Sequence, residues 1–106
     1  MSTPEISVQE LEALKKANAD FFLLDVRNPD EYAICHLEGH LIPLNELPAR
    51  LNEIDREQDI IVHCHAGGRS RKATDYLIQQ GYKRVRNLRG GITAWANEID
   101  PKMKTY

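Results

Sequence analysis

The stretch Asp59-Ile60-Ile61-Val62-His63-Cys64-His65-Ala66-Gly67-Gly68-Arg69-Ser70 runs from an uninterrupted apolar segment through a short loop into a helical pattern that opens at Ser70. An apolar run of this length followed by turn residues reads as a strand buried on both faces of a parallel sheet. A strand, a tight loop and a helix start in that order set Cys64 within a ring of backbone N–H groups, with the cation of Arg69 closing the loop. Amide hydrogens, a guanidinium and the positive end of a helix dipole all favour a thiolate over a thiol. An unpaired cysteine after a buried strand also serves as a small hydrophobe. Gly67 and Gly68 tip the balance, because paired glycines fill a core poorly but suit a backbone that turns inward around an anion. Cys64 therefore reads as a nucleophile.

Working outward, Phe21 to Asp25 forms a second buried strand, and Leu41 to Leu44 a brief third. Glu5 to Val8 is a short extended opening, and Val85 to Leu88 a last strand. Between them, Ser7 and Glu10 stand at capping-box spacing before a helix through Leu11, Leu14 and Ala17. Asn28-Pro29-Asp30-Glu31 caps a short helix reaching about Ile34. Asn45 caps one that carries Leu47, Leu51 and Ile54, with Pro48 in its first turn. A helix over 70–80 stops at Gly81, and one lined by Ile92, Trp95, Ala96 and Ile99 stops at Pro101. Strands this apolar, alternating with helices, predict an α/β domain with a parallel sheet. Sites in such sheets lie at the carboxyl ends of the strands, where Asp25 and Arg27 arrive beside Cys64 as supporting groups.

At 106 residues the chain fits one domain, 1–106, with a tail at 101–106. A composition of 42% hydrophobic and 28% charged residues is that of a soluble globular protein, and no apolar run is long enough to span a membrane. The opening Met1-Ser2-Thr3-Pro4-Glu5 lacks a signal-peptide layout, so a cytoplasmic setting is expected. A net charge of -2 argues against a general nucleic-acid binder. Locally, Arg69, Arg71, Lys72, Lys83, Arg84, Arg86 and Arg89 either form a positive rim for an anionic substrate or remain solvated surface charges. Cys35 reads as packing near Tyr32 or Leu37, with a resolving thiol as the lesser reading. His63 and His65 flank Cys64 on an extended segment and so face opposite sides, which speaks against a zinc site.

Three stretches together resemble the rhodanese (sulfurtransferase) family: Leu24-Asp25-Val26-Arg27 with Glu31-Tyr32, Val62 to Ser70, and Leu88-Arg89-Gly90-Gly91-Ile92 with Trp95. The resemblance implies a rhodanese-like α/β fold, a five-stranded, mainly parallel sheet with helices on both faces. It also implies a Cys64 persulfide that passes sulfur from a small anionic donor such as thiosulfate to a nucleophilic acceptor. Cys64 and Arg69 would be catalytic, His65, Ala66, Gly67, Gly68 and Ser70 would surround the substrate, and no metal or cofactor is called for. Four residues between Cys64 and Arg69 match the sulfurtransferase loop, whereas phosphatase-like relatives have five; arsenate reduction is a further, weaker alternative. The segments 31–37, 41–47 and 95–101 are similar to rhodanese domains joined to adenylyltransferases that activate sulfur carriers, so a sulfur-carrier or thiol protein is a candidate acceptor. The competing class is a docking or redox-sensing module without catalysis.

Overall fold

The computed structural model describes residues 3–106; Met1 and Ser2, part of the opening that lacks a signal-peptide layout, lie outside it. Five strands form one sheet: β1 (Glu5–Ile6), β2 (Phe22–Asp25), β3 (His40–Leu41), β4 (Ile60–His63) and β5 (Val85–Leu88). Their order is β1-β5-β4-β2-β3 and every pairing is parallel. The helices are α1 (Val8–Lys16), α2 (Pro29–Ile34), α3 (Gly68–Gln79) and α4 (Gly91–Glu98), with a 3-10 segment over Leu44–Glu53.

The central strand β4 explains the layering. All four of its residues are buried, and the side chains of Ile60, Ile61 and Val62 alternate between two cores. Ile60 and Val62 pack with Ala73 and Leu77 of α3 and with Leu47 of the 3-10 segment, and Cys64 continues on that side. Ile61 packs with Val8 and Leu11 of α1 and with Ile92 and Trp95 of α4. A strand with period two thus divides its apolar side chains between helices on both faces, as a parallel sheet requires. No helix among the described residues is long and apolar enough to cross a membrane.

Three elements depart from the sequence expectations. The segment after β3 is a 3-10 helix beginning at Leu44, not an α-helix capped by Asn45. Pro48 supplies no N–H and disfavours α geometry at the residue before it, so three-residue bonds replace the α ladder, as in Glu46 N–H to the Pro43 carbonyl at 2.8 Å. Leu47 and Ile54 still reach the core. Strand β3 ends at Leu41, ahead of Pro43, although Ile42 and Leu44 still donate to the carbonyls of Asp25 and Val26. Helix α3 begins at Gly68, two residues before Ser70, which places Arg69 in the helix's first turn.

The glycines of the two site loops are not equivalent. Gly67 has φ of 114° and Gly91 φ of 60°, both in the left-handed region. A Cβ on Gly91 would lie 2.6 Å from the carbonyl oxygens of both Cys64 and His65, whereas one on Gly68 meets nothing within 4 Å. Gly68 is thus an ordinary first-turn residue, and the inward turn rests on Gly67 and Gly91. In chemical denaturation Gly91→Ala should lose about 2–4 kcal/mol. Gly68→Ala should stay within about 1 kcal/mol of wild type; equal losses would contradict this account.

Candidate active site

Cys64 follows β4 directly and its residue surface is 1% exposed. Its Sγ accepts the Gly67 N–H at 3.1 Å and lies 3.3 Å from the Ser70 hydroxyl. Burial pushes the thiol up, but the Ser70 hydroxyl and the amides of Ser70, Gly67 and Arg69 outweigh it, and the thiol lies below its ordinary value. These amides belong to the left-handed turn at Gly67 and to the first turn of α3, where N–H groups have no helical partner. Ile92 and Thr93 at the start of α4 donate to the carbonyls of Cys64 and His65, at 3.0 Å each, and fix the other side of the loop.

Arg69 is committed to an acid. Its guanidinium makes a bidentate pair with Glu31 of α2, at 2.6 and 2.7 Å. The pair holds the Glu31 carboxyl down at about 2, helped by the Asn28 N–H and the Tyr106 hydroxyl. Arg69 also interacts electrostatically with Cys64, after its contact with Glu31. The guanidinium therefore acts on the sulfur as a partly neutralised cation.

Asp25 and Arg27 lie at the carboxyl end of β2, and both are fully buried. Arg27 grips Asp25 through Nε and Nη2, at 2.9 and 2.7 Å, and its backbone N–H donates to the same carboxylate at 3.0 Å. The rest of its guanidinium donates to the carbonyls of Cys35 and Glu31 and to the Tyr106 hydroxyl. The two residues thus brace α2, which carries Glu31 to Arg69.

His63 and His65 diverge. His63 is buried against Asp25, with Nε2 3.7 Å from Oδ2, and among the described residues neither ring nitrogen has a hydrogen-bond partner. His65 is half-buried, its ring stacked on Tyr106 at 4.1 Å between centroids. Ala66 completes the loop between His65 and Gly67 and is exposed. Cys35 is half-buried at the edge of the α1/α4 core, which also contains Leu37.

The proposed positive rim does not assemble as one surface. Arg84 bonds the Glu57 carbonyl, and Arg86 pairs with Asp59, which precedes β4 and so lies toward the sheet edge opposite Cys64. Arg89 is held by Glu5 at 3.2 Å. Sequence reading missed the contacts of Glu31 with Arg69, of Tyr106 with Glu31, and of Asn87 in β5, whose Oδ1 lies 2.5 Å from the Ser70 hydroxyl. The strand carries two polar residues, Arg86 and Asn87, so polarity alone does not single out Asn87.

The arrangement is a parallel sheet with a cysteine loop at its carboxyl edge and an arginine in the first turn of the next helix. The family model for the rhodanese-like domain matches residues 7–98, and the chain belongs to that family. It is 42% identical over 93 residues to a sulfurtransferase of Allochromatium vinosum, covering 87% of each chain. It is 35% identical over 104 residues to the adenylyltransferase and sulfurtransferase uba4 of Ogataea parapolymorpha, where 95% of this chain matches 25% of that one. A solved rhodanese-like domain protein from Staphylococcus aureus superposes with a TM-score of 0.84 at 27% identity, covering 98% of this chain and 99% of that one.

His63 gives the site a specific acid sensitivity. Burial drives its imidazole down to about 4, against the opposing pull of Asp25. The unfolded chain takes up a proton near pH 6.5 that the folded chain refuses, so the stability of the neutral form is full above that pH and declines as pH falls toward about 4. The loss should reach about 3 kcal/mol. The carboxyl of Glu31, held at about 2, acts at lower pH and is separable. Urea unfolding of His63→Leu between these limits should show a distinctly shallower acid loss than wild type; matching slopes would contradict the assignment.

Proposed function

We propose that the protein moves one sulfane sulfur from an anionic donor to a nucleophilic acceptor through a persulfide on Cys64. The observation that carries this reading is Cys64 Sγ set against the Gly67 amide and the Ser70 hydroxyl at the carboxyl edge of the sheet. In the first step the Cys64 thiolate attacks the outer sulfur of thiosulfate. A bond from Sγ to that sulfur forms while the old sulfur–sulfur bond breaks, and its electron pair leaves with sulfite.

In the second step an acceptor nucleophile attacks the outer sulfur, and the electrons of the broken bond return to Sγ as thiolate. No oxidant, reductant or cofactor enters this balance. Amides of the loop and of the first turn of α3 favour negative charge at both stages, on the thiolate and on the outer sulfur of the persulfide. Arg69 adds a positive field for the approaching donor, moderated by Glu31. A sulfur-carrier or thiol protein is the acceptor class that fits the likeness to a relative whose name joins an adenylyltransferase to a sulfurtransferase.

Intact-mass measurement after incubation with thiosulfate, or with glutathione persulfide as an alternative donor, tests the reading. The wild-type chain and Cys35→Ser should each gain the mass of one sulfur atom, and Cys64→Ser should gain none. Absence of the adduct with both donors, or its survival in Cys64→Ser, would overturn it.

A further inference from the structure

The hydroxyl of Ser70 carries one hydrogen and faces three acceptors. Asn87 Oδ1 lies at 2.5 Å, the Gly67 carbonyl at 3.2 Å and Cys64 Sγ at 3.3 Å. Ser70 is fully buried and Asn87 is 2% exposed, so water does not compete freely for this hydrogen. The orientation of the Asn87 amide follows from its surroundings. Its Nδ2 faces two acceptors, the Glu5 carboxylate and the Gly67 carbonyl, each at 3.4 Å. Turning the amide over would point Oδ1 at both of those oxygens and Nδ2 at the hydroxyl. The Asn87 backbone is tied as well, through its N–H to the Pro4 carbonyl at 2.8 Å and through the pairing of β5 with Val62 of β4.

We propose that Asn87 is a positioning residue for Cys64, holding the Ser70 hydroxyl hydrogen while the sulfur is neutral and yielding it when the sulfur becomes a thiolate. The inference rests on the nucleophilic role of Cys64 proposed above. A neutral thiol, or the inner sulfur of a persulfide, accepts a hydrogen bond weakly. The Gly67 carbonyl, at 3.2 Å, is the only other acceptor besides Asn87 among the described residues, and both it and the sulfur lie well beyond the 2.5 Å contact with Oδ1. Asn87 Oδ1 supplies the better partner in that state. When Sγ carries charge, as the thiolate before it attacks a donor and again as an acceptor removes the outer sulfur, the hydroxyl rotates toward Sγ and meets a charged acceptor. The hydroxyl thus has a good partner in both states of the cycle, and because Asn87 stabilises it only in the neutral state, Asn87 biases the sulfur toward the thiol.

The consequence is a definite sign: without the Asn87 amide, the hydroxyl hydrogen is left to Sγ and the Gly67 carbonyl, and the thiolate is favoured. The charged groups near the sulfur and this network are Arg69 and Glu31 on the helix side, and Glu5 with Arg89 beyond Asn87. His63 and His65 flank Cys64 in the chain. All six are unchanged in the variants below.

The test is the pH profile of iodoacetamide alkylation of Cys64, in a Cys35→Ser background that leaves one thiol. Asn87→Leu should lower the midpoint, raising the thiolate-to-thiol ratio by about threefold or more at a fixed pH below it. Ser70→Ala should raise the midpoint, and adding Asn87→Leu to Ser70→Ala should produce no further change. A purely structural role for Asn87 would alter the unfolding midpoint without this dependence on Ser70. An unchanged or raised midpoint in Asn87→Leu, or the same fall with Ser70 absent, would overturn the proposal. If Asn87→Leu does not fold by circular dichroism, Asn87→Ala is read in the same way. An ordinary midpoint in the parent chain would instead remove the nucleophilic reading, so the two failures are distinguishable.

Discussion

A sulfur atom with 1% of its residue surface exposed keeps negative charge only where polar hydrogens reach it, and that constraint organises the protein. Desolvation alone would hold Cys64 as an inert thiol. The opposing hydrogens come from the six residues that follow it. Strand β4 ends at His63 and delivers the sulfur, Gly67 turns the backbone through a left-handed conformation, and α3 begins at once with its unpaired amides. Helix α4 then secures the loop's outward carbonyls, an approach close enough that Gly91 has no room for a side chain.

A second network stands behind the first. Asp25 and Arg27 form a buried ion pair whose desolvation is offset by several hydrogen bonds rather than by one contact. Arg27 also reaches the Tyr106 hydroxyl, which donates to Glu31 at 2.8 Å, and Glu31 in turn clasps Arg69. The charge of the arginine nearest the sulfur is therefore set by a chain of contacts running from β2 through α2 and the end of the chain. Any anion approaching Arg69 meets a field shaped by this chain and competes with Glu31 for the guanidinium.

Much of this was legible in the sequence because its causes are local. The apolar runs at 22–25 and 60–63, the Ser7 and Glu10 capping box and the proline after Asn28 all specify their elements through neighbours a few residues away. The segment 44–53 was misread because the spacing of Leu47, Leu51 and Ile54 satisfies an α pattern, while Pro48 decides the hydrogen bonding. The site was legible to the extent that it is one loop: Cys64, Gly67, Arg69 and Ser70 are contiguous. Glu31 on Arg69, Asn87 on Ser70 and Tyr106 on Glu31 span 38, 17 and 75 residues of sequence, and no periodicity encodes contacts of that kind. Gly68 shows the converse, a residue whose type suggested a strained turn and whose place is the first turn of a helix.

The most direct measurement is the ultraviolet absorbance of the Cys64 thiolate as a function of pH, taken as the difference between the native chain and Cys64→Ser. The account predicts a transition below that of an unperturbed thiol, with the thiolate already present at neutral pH. A transition at or above the ordinary value would mean that burial prevails over the encircling hydrogens, and the account would be wrong at its centre.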